Sequence, residues 1–287
     1  MAEKGLSAPD WLDAPYPVHR VGGWRGWLRV IRRGVPAVGV LVISVPLLLL
    51  LRLAERMLSG PRRPLSGPFV QAVCRCVLWA IGLRWRRIGQ PMSGPGAVVA
   101  NHSSWLDIFT LNAALPVFFV AKSEVSTWPG INILTRVTDT HFVTRDPRLA
   151  GAQADEFAAR TGAGHRLLFF PEGTSSDGLR VLPFKATLFQ GFLAPGLPAT
   201  LAIQPVSARY HAPPGSDPRI YGWWGDMSLG PHILAVLAMP RQGRVEVVLH
   251  PPIPVSGETR KTLAQKAEQA IRAELTASRA DPPQITP

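Results

Sequence analysis

Residues 97–107 read Ala-Val-Val-Ala-Asn-His-Ser-Ser-Trp-Leu-Asp. The first four are apolar and suit a short buried strand. Ser104 and Asp107 follow in the S-x-x-D spacing of a capping box, with Ser104 at the N-cap and Asp107 at the third helical position. A strand that turns straight into a capped helix is a building unit of α/β domains. Outward from this stretch the unit recurs. Short apolar runs at 117–121, 141–144, 167–170, 201–207 and 245–249 alternate with helix candidates at 104–114, 147–161 and 184–194. Residues 256–279 form an amphipathic helix, with Leu263, Ala267, Ala270, Ile271 and Leu275 on one side. The pattern predicts an α/β domain around a mostly buried sheet.

His102 sits in the turn before that capped helix. On a continuous helix, residues five apart stand about 140° from each other and do not meet. From a loop, the imidazole can fold back onto Asp107. The carboxylate then fixes the tautomer, and the second ring nitrogen is left to take a proton from a substrate. The same spacing also suits an ordinary helix cap with an incidental histidine.

A second chemical block is Phe169-Phe170-Pro171-Glu172-Gly173-Thr174. Pro171 stops the strand and Gly173 permits a sharp turn. Glu172 thereby stands at the carboxyl end of a strand, where open α/β sheets bind ligands. A strand-end turn with a solvated glutamate is the plainer alternative. The run Phe142-Val143-Thr144-Arg145 is another strand ending in a cation suited to a phosphate or carboxylate. Ala202-Ile203-Gln204-Pro205-Val206 is a strand with an internal proline, which predicts an edge or a bulge.

The amino-terminal third is different in kind. Residues 24–33 mix Trp24 and Trp27 with Arg25, Arg29, Arg32 and Arg33, as a membrane interface favours. Residues 35–51 carry no charge. As a helix they reach about 25 Å, short of a hydrocarbon core of ~30 Å, and Pro36 and Pro46 interrupt them. Residues 59–68 make a turn, and 69–87 read as an amphipathic helix with Arg75, Arg84, Arg86 and Arg87 set to reach phosphate. Residues 34–87 therefore read as a helical pair that docks on the bilayer. The formal net charge of +12 favours an anionic partner, here lipid. No nucleic-acid-binding signature is present. Cys74 and Cys76, two apart on a helix, point to different sides and do not pair.

Four blocks in this order resemble the glycerolipid acyltransferase family that contains the bacterial 1-acylglycerol-3-phosphate acyltransferases and lyso-ornithine lipid acyltransferases. His102 and Asp107 match its H-x4-D block. Arg145 matches the end of its second block, and residues 170–174 its F-P-E-G-T block. Ile203-Gln204-Pro205-Val206 matches its proline-containing strand, and Pro183-Phe184-Lys185 also follows the family pattern. The resemblance covers roughly residues 69–255. It implies a mixed sheet flanked by helices, preceded by a membrane-docking helical pair. It divides the chain into an interfacial segment (1–33), the helical pair (34–89), the acyltransferase domain (90–279) and a loose tail (280–287).

The resemblance further implies that His102 is a general base oriented by Asp107. It would activate the free hydroxyl of a lysolipid, lysophosphatidate first, for attack on an acyl-carrier-protein or coenzyme A thioester. Arg145, Glu172, Gly173, Thr174 and Lys185 would shape the acceptor site. No metal or cofactor beyond the thioester is expected, and soluble donors imply an inner-membrane enzyme with its site facing the cytoplasm. Three positions depart from the pattern. Ser175 stands where many phosphatidate-forming relatives have Arg, Thr140 where Gly is usual, and Thr187 where Gly follows the lysine. A missing arginine removes a charge-assisted phosphate contact and suits lyso-ornithine lipid, a phosphate-free aminolipid. The segment 221–226, Tyr-Gly-Trp-Trp-Gly-Asp, supplies an aromatic wall for such an acceptor or an interfacial anchor. A thioesterase or lysolipid hydrolase, and a non-catalytic lipid-binding protein, are the other readings.

Overall fold

The computed structural model describes residues 15–17, 20–60, 63–94, 96–122, 141–143, 150–194 and 197–280. Strand β2 (Gly96–Ala100) lies at the centre and is buried at every position. Its neighbours are β5 (Arg166–Phe169) and β6 (Ala202–His211), both parallel to it. Beyond β5 come β3 (Phe118–Lys122) and β4 (His141–Val143), again parallel. On the other side β7 (Arg244–Leu249) pairs antiparallel with β6, and β1 (Arg84–Ile88) runs beside β7. The order is β1-β7-β6-β2-β5-β3-β4, and β8 (Ile253–Pro254) adds to β6.

Side chains alternate across a strand, so one short run feeds two cores. Ala97 and Val99 pack with Phe189, Phe192, Leu263, Ala267, Ile271 and Leu275. These belong to a 3₁₀ helix at Ala186–Leu193 and to the C-terminal helix Arg260–Ala280. Val98 and Ala100 face the other way, towards Leu111, Ala114 and Leu115. Leu111 and Ala114 lie on α3 (Asp107–Ala114). With helices on both faces, the centre of the sheet needs no polar side, which is why its strands read as unbroken apolar runs.

The amino-terminal third departs from the sequence expectation in two ways. Residues 24–33 are not a separate segment. A single helix, α1 (Gly23–Leu58), runs through them and through Pro36 and Pro46. At 36 residues it spans about 54 Å, and the uncharged run 35–51 is its middle rather than a helix by itself. Second, α2 (Ser66–Ile81) stops earlier than expected. Gly82 adopts φ 85° and its N–H caps the carbonyls of Leu78 and Trp79. Arg84, Arg86 and Arg87 therefore fall on a strand. Arg86 pairs with Glu246 at 2.7 Å, and Arg87 donates to the carbonyl of Ala114 at 3.0 Å, so neither is held out on a helix for phosphate.

Arg33 is buried for a related reason. Its guanidinium donates to the carbonyls of Leu237 (2.8 Å) and Met239 (2.6 Å). These close the helix Leu229–Ala238, an element that the sequence pattern did not suggest. The last carbonyls of a helix lack intrahelical donors, and a cation there also meets the negative end of the dipole. On its other side α1 leaves Trp24, Leu28, Ile31, Val35, Val38, Val42 and Leu50 exposed. Among the described residues it is the one helix long and apolar enough to cross a membrane. Cys74 is buried and Cys76 exposed, both as free thiols.

Pro205 lies in an interior strand, so of the edge and the bulge that a strand proline predicts, the structure has the second. Between the β7 and β8 pairings the facing segment carries one extra residue. The Pro205 carbonyl accepts the N–H of His250 at 3.0 Å on the β7 side. The proline nitrogen faces the same side, at the gap between Leu249 of β7 and Ile253 of β8, where no ladder donor is required.

Candidate active site

The site begins where β2 ends. Asn101 is fully buried, and its amide bonds Ala208 of β6 twice, at 2.8 and 3.1 Å. This side chain imitates one further ladder residue and fixes the exit of the chain. His102 follows, with its imidazole stacked on Phe170 at 4.1 Å and 18°. The box around Ser104 forms largely as its spacing suggests. Ser104 Oγ accepts the Leu106 N–H at 3.2 Å, and Asp107 Oδ2 reaches back to the Ser104 N–H at 3.0 Å. The turn at 105–106 is tight, so the regular helix starts only at Asp107.

Because His102 precedes this turn, its ring meets the carboxylate. Nδ1 lies 2.7 Å from Asp107 Oδ2. The same oxygen accepts the Ser103 N–H at 2.9 Å, and Oδ1 accepts the Tyr210 hydroxyl at 2.7 Å. An ionised carboxylate only accepts, so Nδ1 carries the proton and Nε2 keeps its lone pair. The Asp107 side chain is fully buried, whereas that of His102 is 23% exposed. The pair thus offers a base on the open side and an acid sealed behind it.

Glu172 is not the solvated residue of the plainer reading, nor does its carboxylate point outward. It is 2% exposed, and each oxygen accepts one backbone N–H at 2.7 Å, from His102 and from Leu182. Burial pushes its carboxyl up to about 8; the two N–H donors pull against this, and Asp107 adds to the rise. Its work is to fasten the turn after β5 to the backbone of the histidine. Gly173 has φ 73°, and an added Cβ would stand 2.5 Å from Lys185 Nζ. The lysine therefore lies across the turn, while its N–H bonds the Pro171 carbonyl at 2.9 Å. Thr174 is exposed on this turn and Ser175 half-buried. Arg145 and Thr140 lie outside the described residues.

The segment 221–226 comes to the same place. The Trp223 N–H bonds the Ser103 carbonyl at 2.8 Å. Gly222 passes so close to Asp177 that a Cβ would sit 2.8 Å from its carbonyl oxygen. Tyr221 and Trp224 turn inward and are buried, which excludes them as interfacial anchors. Trp223 stays half-buried, with its indole N–H on the Met227 carbonyl at 2.7 Å. Sequence reasoning missed Asn101, Phe170 as a stacking partner, and Tyr210. Only strand parity could have found the last: Gln204, Val206, Ala208 and Tyr210 share one face of β6. Among the described residues no group of three or more His, Cys, Asp or Glu is placed to hold a metal ion.

Comparison with known proteins joins these residues to a family. The family described as Acyltransferase matches residues 86–209, which include the dyad, the 170–174 turn and most of β6. A lyso-ornithine lipid O-acyltransferase of Rhodobacter capsulatus is 48% identical over 268 residues, covering 93% of this chain and 97% of that protein. One of Brucella abortus is 35% identical over 258 residues, covering 85% and 94%. The crystal structure of the 1-acyl-sn-glycerophosphate acyltransferase of Thermotoga maritima matches with a TM-score of 0.59 at 19% identity, over 88% of this chain and 98% of that one. The last likeness concerns the fold alone.

Proposed function

The chain belongs to the acyltransferase family, and from that premise we propose that it acylates the free hydroxyl of lyso-ornithine lipid with a fatty acyl chain from a soluble thioester. The observation that carries the reading is the His102–Asp107 pair, a partly exposed imidazole held through Nδ1 by a sealed carboxylate. His102 Nε2 takes the proton of the acceptor hydroxyl, and that oxygen attacks the thioester carbonyl. The tetrahedral intermediate expels the thiolate, which receives the proton back from the imidazolium. Asp107 keeps Nδ1 protonated and offsets the transient positive charge. No group beyond the thioester enters the balance.

Ser175, in place of the arginine of many phosphatidate-forming relatives, supports a phosphate-free acceptor over lysophosphatidate. The similarity along nearly the whole chain to proteins named lyso-ornithine lipid O-acyltransferase supports it further. Gly173, Thr174, Lys185 and Arg145 are assigned to the acceptor, with Glu172 behind them as their fastening. The exposed apolar flank of α1 holds the domain on the inner membrane from the cytoplasmic side, where anionic lipid meets the basic chain. A donor bound to acidic carrier protein or to coenzyme A suits the same charge.

The test is a product assay by mass spectrometry on detergent-solubilised protein, with an acyl-carrier-protein or coenzyme A thioester and either lyso-ornithine lipid or lysophosphatidate. Diacyl product from lyso-ornithine lipid is expected, with turnover lowered roughly 10²–10⁴-fold in His102→Ala. Product from lysophosphatidate alone sinks the acceptor assignment. Free fatty acid without diacyl product makes the protein a hydrolase, and liposome binding without turnover makes it a binding protein.

A further inference from the structure

Asp107 accepts hydrogen bonds from two directions. Oδ2 takes His102 Nδ1, Ser103 N and Ser104 N, all within the local turn. Oδ1 takes Tyr210 Oη at 2.7 Å, from β6 and 103 residues away in sequence. The three local donors all act on Oδ2 and leave Oδ1 to a partner from outside the turn. The phenol is that partner. Thr110, one turn along α3, lies 3.1 Å from Tyr210 Oη. With the Thr110 hydroxyl donating to Tyr210, the tyrosine's own proton is aimed at Asp107. The ring of Tyr210 is in turn braced against Tyr221, with centroids 5.7 Å apart.

We propose that Tyr210, oriented by Thr110, is a positioning residue for acyl transfer that sets the angle and charge density at which Asp107 meets His102. The inference rests on the reading of His102 as general base. Burial, with the charge of Asp107 beside it, pushes the phenol well above its ordinary range, so Tyr210 stays a donor throughout the working pH of such a base. A carboxylate that gives part of its charge to a phenol is a weaker partner for the imidazolium. Tyr210 thus keeps the histidine easier to deprotonate while holding its partner in line. A tyrosine that merely fills the core would be indifferent to the protonation of His102.

The experiment is the pH dependence of kcat and kcat/KM for Tyr210→Phe, in the full-length detergent-solubilised protein with thioester donor and lysolipid. The loss of one hydrogen bond to a charged group lowers kcat by about 10- to 100-fold, with the donor KM unchanged. The acid limb of kcat/KM moves to higher pH. Thr110→Val moves the limb the same way by less. In an Asp107→Asn background, Tyr210→Phe costs little more, because it acts through the group already removed.

A folded Tyr210→Phe with the parental kcat and limb overturns the inference, as does an equal fold loss in both Asp107 backgrounds. If Tyr210→Phe fails to fold, an unmoved limb in Thr110→Val overturns it instead. An active His102→Ala removes the general base and this role together. An inactive His102→Ala beside a parental Tyr210→Phe removes this role alone.

Discussion

Two buried carboxylates serve one histidine, and they do opposite things. Asp107, from the start of α3, bonds the ring of His102. Glu172, from the turn that follows β5, bonds its backbone N–H. The first contact acts on the proton of the imidazole and so on the chemistry. The second acts on where the residue stands. Their surroundings match these tasks. Asp107 collects four donors, among them a hydroxyl, whereas Glu172 has two backbone donors and is pushed up to about 8 by burial. A carboxyl that fastens backbone can carry a proton and still accept through its oxygens. One that steadies an imidazolium needs its charge.

The sharpest way to break this comparison is to replace each acid by its amide. Asp107→Asn has the larger effect on turnover. The amide offers one acceptor where the carboxylate had two, and its NH₂ competes to face the ring nitrogen. A tautomer with the proton on Nε2 cannot act as a base. The expected loss in kcat is about 10²–10³-fold, within the range of general-base assistance. Steady-state kinetics with the same donor and acceptor measure it. A loss below about tenfold in a folded variant would mean that Asp107 does not set the tautomer of His102.

Glu172→Gln should act on stability first. Its carboxyl is raised from 4.5 to about 8 in the folded protein. Between those values the folded chain holds a proton that the unfolded chain has released. Stability therefore falls as pH rises through that window, and it is fully present below the unfolded value. Glutamine removes this slope. It also sets its NH₂ against one backbone N–H, which costs about 1–3 kcal/mol at low pH. Urea unfolding from pH 5 to 9 should show the variant losing less stability with rising pH than the parent. Both share the opposite slope of His211 and His250, whose values burial lowers. A parental slope in Glu172→Gln would assign the pH dependence to another group.

How much of this was legible in the sequence follows the range of the contacts. The His102–Asp107 pair spans five residues, and its turn is built from its own side chains, so spacing suggests the contact and the other blocks decide between it and an ordinary cap. The buried strands read as apolar runs because helices cover both faces. Three features depend on distant partners and could not be read in full. Arg86 and Arg87 look like phosphate ligands on a helix until Gly82 ends that helix and Glu246 and Ala114 take them up. Pro205 looks like an edge or a bulge, and only the break between β7 and β8, with one extra residue opposite it, decides for the second. Glu172 reads as a residue of the acceptor site, and nothing in its own segment reveals that its carboxylate is taken up by the backbone of residues 102 and 182.

Arg33 extends the contrast to the membrane-facing helix. It joins α1 to the end of the helix at 229–238 and is remote from the dyad in role. Arg33→Met removes two hydrogen bonds to carbonyls that close the helix at 229–238. With about 1.5–3 kcal/mol at stake for charge-assisted bonds, the melting midpoint should drop by several degrees. Turnover at low temperature should stay within about twofold, since surviving folded protein keeps the dyad intact. A large kcat loss at an unchanged midpoint would mean that the seating of α1 governs substrate entry instead.

Ser175→Arg has the smallest expected effect and tests the acceptor rather than the dyad. Position 175 follows the turn that Glu172 fastens, beside exposed Thr174, and its side chain is half-buried rather than sealed. A guanidinium there has room to reach outward and adds one charge-assisted contact for a phosphate. One such contact at a partly solvated site changes relative kcat/KM by about tenfold, in favour of lysophosphatidate over lyso-ornithine lipid. Competition between the two acceptors in one mixture, read by mass spectrometry, gives the ratio directly and cancels any change in active fraction. If the ratio does not move, the absent arginine is not what distinguishes the acceptors. The distinction would then have to be sought at Arg145, Lys185 or the Trp223 wall.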